Sequence, residues 1–103
     1  MKIITTNNPT TDVNGTSLQG YVRTNFSNLE SKLGPALDGS DKTTAEWYLE
    51  FEDGTVATIY DWKEESTPLS DYNWHIGGHD PSIVDKVGEA LELSVFDYRT
   101  SRY

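Results

Sequence analysis

The sequence predicts an α+β domain: an antiparallel β-meander, formed by a hairpin over residues 44–62 and a strand over 72–76, with two helices (17–33 and 81–92) on one face of the sheet. Three observations carry this reading. Asp53-Gly54 sits between two runs that alternate apolar and polar residues, the pattern of a tight hairpin. Apolar residues recur at helical spacing from Leu18 to Leu33 and from Ile83 to Leu91, as they do on amphipathic helices. Hydrophobic residues are only 35% of the 103-residue chain while aromatics reach 12%, so the core leans on Trp, Tyr and Phe, and the aromatic share argues against disorder.

Met1 to Thr6 carries the β-branched run Ile3-Ile4-Thr5-Thr6, suited to a short strand. Residues 7–12 are turn formers. Thr16 followed by Gln19 fits a capping box, and Leu18, Val22, Phe26, Leu29 and Leu33 then form an inward stripe of helix 17–33. Gly34-Pro35 stops that helix in the usual order. Gly20 inside it costs about 1 kcal/mol relative to Ala, which points to close packing or ligand approach. Residues 36–43 are a polar connection. In the hairpin, a two-residue Asp53-Gly54 turn pairs Phe51 with Val56, Leu49 with Thr58, Trp47 with Tyr60 and Ala45 with Trp62 on an apolar face. Glu50–Ala57, Tyr48–Ile59 and Glu46–Asp61 then fall on the other face, the last an unfavourable like-charge pair. Residues 63–71 form a loop containing Pro68. In the strand 72–76, Tyr72, Trp74 and Ile76 share one side, with Asn73 and His75 opposite. Gly77-Gly78 breaks it. Asp80 caps and Pro81 opens the second helix, whose inward stripe is Ile83, Val84, Val87 and Leu91. With no repeat and no linker, the chain reads as a single domain, 1–103. Residues 93–103 are an extra edge strand or a flexible tail.

Eight basic residues against 17 acidic ones give a net charge of −9. That field repels nucleic acid and anionic membranes, and the basic residues form no run, so direct nucleic-acid binding is not expected. No apolar run approaches the ~20 residues of a membrane span, and no signal-peptide core follows Met1. The chain has no Cys, which excludes disulfides, a Cys nucleophile and Cys-based zinc sites. The acids cluster at the two ends of the hairpin: Glu50, Glu52 and Asp53 at the turn, and Asp61, Glu64 and Glu65 at the open end. These are the expected partner-binding residues, set against a basic groove.

The segments Asn14-Gly15-Thr16-Ser17-Leu18-Gln19-Gly20, Asp53-Gly54-Thr55-Val56-Ala57-Thr58-Ile59-Tyr60-Asp61-Trp62-Lys63 and Trp74-His75-Ile76-Gly77-Gly78 resemble, in order and approximate spacing, a family of small, largely uncharacterised bacteriophage proteins. The resemblance covers about residues 13–90 and not the tail. It implies a setting, the cytoplasm of an infected bacterial host, and a type of role, since small phage accessory proteins commonly bind and disable host machinery.

Residues with chemistry are present but do not spell out a catalytic motif. His75 and His79 are four apart, yet Gly77-Gly78 between them denies the helical geometry of a zinc pair. No Gly-x-Ser-x-Gly occurs. Asn14-Gly15-Thr16-Ser17 at a helix start suits an anion or plain capping. The most ligand-like group is polar and aromatic: Gln19 and Arg23, one helical turn apart, with Tyr60, Trp62, Lys63, Trp74 and His75 from adjoining strand ends, where rings and cations can clamp a nucleobase and phosphate. The expectation is a non-enzymatic protein without metal or cofactor that inhibits a host defence or nucleic-acid-handling protein through its acidic surface. The alternative is an oligomeric sponge that sequesters a nucleotide immune signal. A homo-dimer or higher assembly is expected, built on Tyr48 and Ile59 of the uncovered sheet face and on Val95, Phe96 and Tyr98.

Overall fold

A computed structural model of the chain describes residues 1–101. Its elements are β1 (Ile3–Thr6), β2 (Ser17–Thr24), α1 (Phe26–Leu33), the two-residue β3 (Leu37–Asp38), β4 (Ala45–Phe51), β5 (Val56–Tyr60), β6 (Tyr72–Gly78), α2 (Ser82–Ala90), a 3-10 turn (Val95–Asp97) and β7 (Tyr98–Thr100). One antiparallel sheet runs in the order β1-β4-β5-β6-β2-β7, with β3 also paired to β4. Both helices bury their apolar residues, Leu29 and Leu33 of α1 and Ile83, Val84 and Val87 of α2, in the same core as Trp47, Leu49, Phe51, Ile59, Trp74 and Ile76. The expected α+β architecture, with a meander and two helices on one face, is therefore what the chain adopts.

The expected helix 17–33 is corrected to a strand followed by a short helix. Ser17–Thr24 is β2, paired with β6 along its length from Ser17↔Gly78 to Thr24↔Tyr72. Spacing by four returns to the same side of an unbroken strand as well as of a helix, so the Leu18–Val22–Phe26 pattern does not separate the two; a bulge between Leu18 and Gly20 then sets Leu18 opposite Gly77, off the side of Val22. Tyr21, Val22 and Thr24 then favour the strand. The capping box does not form: the Thr16 hydroxyl donates to the Val13 carbonyl at 2.9 Å, and Gln19 Nε2 donates to the Gly78 carbonyl at 3.0 Å. The true N-cap is Asn25, whose side chain accepts the Asn28 N–H at 2.8 Å. Gly34, at φ 85°, ends α1 as expected.

Gly20 is a point of close packing. A Cβ there would sit 2.3 Å from the Arg99 carbonyl oxygen and 2.6 Å from Val84 Cγ2, so only glycine lets α2 and β7 lie against β2 at this point.

The hairpin register differs by one residue from expectation. The observed partners are Glu46↔Tyr60, Trp47↔Ile59, Tyr48↔Thr58, Leu49↔Ala57 and Glu50↔Val56. The connection is a three-residue loop, in which Gly54 N–H donates to the Phe51 carbonyl at 2.9 Å and Phe51 N–H to the Thr55 carbonyl at 2.8 Å. Only Gly54, at φ 86°, needs the left-handed region, the signature of a type I turn closed by a glycine bulge. Asp53 instead uses its carboxylate to accept the Thr55 N–H at 3.0 Å. A one-residue shift exchanges the faces of β5. Ile59 is thus fully buried, correcting its place on the uncovered face, while Tyr60 moves from the expected core to that face. The like-charge Glu46–Asp61 pair does not exist.

Gly77-Gly78 do not break the strand as expected: β6 continues through them, Gly77 pairing with Leu18 and Thr58 and Gly78 with Ser17, because β2 supplies a ladder there. The second helix, Ser82–Ala90, starts within a residue of expectation, with the Asp80 carboxylate accepting the Ser82 N–H at 2.9 Å. Of the two readings for the tail, the edge strand is observed: Tyr98–Thr100 pairs with β2 through Gly20↔Thr100, Tyr21↔Arg99 and Val22↔Tyr98. The last residues of that expectation, 102 and 103, lie outside the described residues.

Candidate functional site

The side of the sheet without helices is the candidate site. Alternation along each strand sends Glu46, Tyr48 and Glu50 of β4, Thr58 and Tyr60 of β5, Asn73 and His75 of β6, Gln19, Tyr21 and Arg23 of β2 and Arg99 of β7 to this face. The registers align five of them into one row across the sheet, Glu46–Tyr60–His75–Tyr21–Arg99. The His75 ring lies 5.4 Å from Tyr60 and 5.0 Å from Tyr21, the latter edge-on. The Arg99 guanidinium stands over the Tyr21 ring at 4.8 Å, within cation–π range. At the other end, Tyr48 donates to the Glu46 carboxylate at 3.0 Å.

Two clefts open on this face. One, of about 280 Å³, has Tyr48, Thr58, Tyr60 and Gly77 on its floor and Thr16, Thr43 and Trp62 at its walls. The other, of about 270 Å³, lies at the β2–β7 side and is lined by Tyr21, Arg23, Asn73, Phe96, Asp97, Tyr98 and Arg99. Trp62 is 42% exposed and Phe96 94% exposed. Lys63 stands 5.9 Å from the Trp62 ring.

Electrostatics follow from partial burial. Desolvation pushes the phenols of Tyr60 and Tyr48 above their ordinary range, Glu46 adding to both effects. The half-buried His75 is pushed down by desolvation, opposed in part by the charges of Asp61 and Glu64. Its Nδ1 is buried with no hydrogen-bond partner among the described residues. His75 therefore packs between two tyrosines in surroundings that favour its neutral form. Its neighbour in sequence pattern, His79, is exposed. No three His, Asp or Glu side chains converge as a metal site would require among the described residues.

The expected ligand group is partly assembled. Gln19, Arg23, Tyr60 and His75 share the open face, and Trp62 and Lys63 border it. Trp74 does not belong: it is fully buried, packs edge-on against Trp47 at 5.6 Å, and its indole N–H donates to the Thr24 carbonyl at 3.1 Å. Gln19 and Arg23 share this face by strand alternation, but the strand sets Tyr21 between them, so the expected one-turn proximity does not form. Tyr21 and Arg99 stand outside every sequence-derived group, and Phe96, expected only in a self-association surface, joins the ligand cleft. Gly20-Tyr21-Val22-Arg23-Thr24 does alternate, and that alternation was the available signal for Tyr21.

The acidic set also changes. Asp61 is fully buried. Its carboxylate accepts the Thr44 N–H at 2.7 Å, the Ala45 N–H at 3.3 Å and the Thr44 hydroxyl, so it closes the open end of the hairpin and faces no partner. Asp53 pairs with Lys86 at 2.8 Å, and that ammonium, followed by hydrogen bonds from Thr55, holds its carboxyl well below the usual carboxylate range. Glu52, Glu64 and Glu65 are exposed and Glu50 is half-buried. No helix among the described residues is long and apolar enough to cross a membrane. Comparisons with known protein families, with curated proteins and with solved structures return no match.

Proposed function

We propose that the chain is a small phage accessory protein that acts by binding, inhibiting a host protein of defence or nucleic-acid handling in the cytoplasm of the infected cell. The resemblance supplies the setting. The observation that carries the binding role is the helix-free sheet face: three rings in a row across three adjacent strands, with Glu46 and Glu50 at one side and Glu52, Glu64 and Glu65 at the ends of the hairpin. Aromatic rings supply contact area at low entropic cost, and the carboxylates steer a basic partner.

A second reading, the nucleotide sponge, has its own observation. The opposite side of the same face carries the two arginines of the 270 Å³ cleft, a local reversal of the chain's charge.

Capture of partners from host extract separates the two, with the eluate examined for both protein and nucleotide. Docking on a basic groove weakens steeply as salt rises, and neutralising Glu64 and Glu65 slows it. A bound host protein whose association ignores both salt and these carboxylates overturns acidic docking.

A further inference from the structure

We propose that the cleft between β2, β6 and the Phe96 turn is a binding site for a mononucleotide. The inference deepens the nucleotide reading, on which it rests: it keeps Arg23 of the expected ligand group and joins it to Tyr21, Asn73, Phe96 and Arg99.

Arg23 and Arg99 both line this cleft, and among the described residues neither is ion-paired or donates a side-chain hydrogen bond. In a chain of net −9 with 17 acidic residues, two guanidiniums on one cleft, neither ion-paired among the described residues although Asp97 lies beside them, have the composition of an anion site. A guanidinium offers paired donors matched to phosphate oxygens. Arg99 is held over the Tyr21 ring, so less freedom is lost when it takes a phosphate.

The second component is aromatic. Phe96 is 94% exposed although it lines the cleft. Its turn is a built one, with the Ser94 side chain accepting the Phe96 N–H and the Asp97 N–H donating to the Ser94 carbonyl at 2.8 Å. An open phenyl face is a stacking platform for a base. The exposed amide of Asn73 adds a donor and an acceptor for a base edge.

Size and field select the ligand. At about 270 Å³ the cleft is near the lower end of small-ligand sites, about 300 Å³, room for one base and one phosphate. A nucleic-acid strand brings many phosphates into the field of the whole acidic surface. A single phosphate feels mainly charges within a Debye length, about 8 Å in physiological salt. Among the described residues Asp97 is the one acid lining the cleft, and it weakens the site.

The test is titration calorimetry of the full chain with AMP and GMP, with adenosine and inorganic phosphate as controls. Expected is saturable binding of a nucleotide, tighter than either control. R23Q and R99Q each weaken it at least tenfold, and D97N tightens it. F96A weakens nucleotide binding at least fivefold without changing phosphate binding, and its exposed ring makes it a variant that folds. Nucleotide binding that ignores R23Q, R99Q and F96A but is lost in W62A overturns this site while leaving the sponge reading standing. No binding of either nucleotide at millimolar concentration, with wild-type folding verified by circular dichroism, overturns the site; a sponge reading then survives only if nucleotide is recovered from the host eluate.

Discussion

Replacing Asp61 by alanine removes the acceptor that holds the start of β4 to the end of β5. The carboxylate is fully buried and takes two backbone N–H groups, those of Thr44 and Ala45, together with the Thr44 hydroxyl. The hydroxyl retains a neighbour, Thr67 Oγ1 at 2.7 Å. The two amides do not. A hydrogen bond to a charged group contributes about 1.5–3 kcal/mol, and an amide left buried and unpaired costs about 1–3 kcal/mol. Removing a buried carboxylate also relieves its own desolvation, so the losses do not simply add, and the net expectation is about 2–4 kcal/mol. Against a total stability of about 5–15 kcal/mol, that is a large share. At about 4–8 °C per kcal/mol for a domain approaching this size, Asp61→Ala melts at least ~8 °C below wild type. Asp61→Asn keeps one acceptor oxygen and falls between them. Glu65→Ala, on an exposed loop residue, stays within about 0.5 kcal/mol. Thermal melts by circular dichroism check all three. An Asp61→Ala variant that melts within 2 °C of Glu65→Ala, with 2 °C as ~0.5 kcal/mol on the same scale, refutes the role of Asp61 as the clasp of the hairpin.

Gly54→Val is expected to destabilise by about 1–2 kcal/mol, because Gly54 sits at φ 86°, which a β-branched residue resists; space is not the issue, since nothing lies within 4 Å of a Cβ there. An unchanged melting temperature argues against the three-residue turn. His75 is pushed below its ordinary value by burial between Tyr21 and Tyr60, despite Asp61 and Glu64. The unfolded chain therefore takes up the proton first, and the stability present above about pH 6.5 falls as pH drops through the lower folded value. His75→Phe flattens the melting temperature between pH 7 and 5, and a wild-type curve already flat there defeats the expectation. Self-association is expected through the open face, where Glu46 and Arg99 at opposite ends of one row can meet the partner's opposite charges about a two-fold axis. Sedimentation that gives only an 11.6 kDa monomer at high concentration removes it.

The fold was legible where local pattern and long-range pairing agree. The existence of the β4–β5 hairpin, of β6 up to Ile76 and of α2 was in each case carried by a period and turn or cap residues within a short stretch. The two largest departures share a cause: a local signal compatible with two structures, decided by partners far away in sequence. Apolar residues spaced by four serve a helix and a strand alike, and β2 becomes a strand because β6, over fifty residues on, supplies its ladder. Asp-Gly serves a two-residue turn with both residues at positive φ and a three-residue turn in which Gly alone takes it. Asp53 avoids the left-handed region, and its carboxylate turns to Thr55 and Lys86 instead.

The candidate site was less legible, because it is a product of register rather than of motif. Tyr60, His75, Tyr21 and Arg99 come from four strands, and no window of sequence contains more than one of them. Their row exists because β4 and β5 pair through a three-residue turn. The two-residue turn would place Tyr60 among the core rings and bring Ile59 out beside His75, leaving Glu46 next to Asp61 at the end of the row. The same half-buried tyrosine would then help the core and do nothing at the surface. Gly54 thus acts at a distance on the candidate site: by admitting the glycine-bulge turn it decides which side of β5 meets the helices, and so which rings the open face presents.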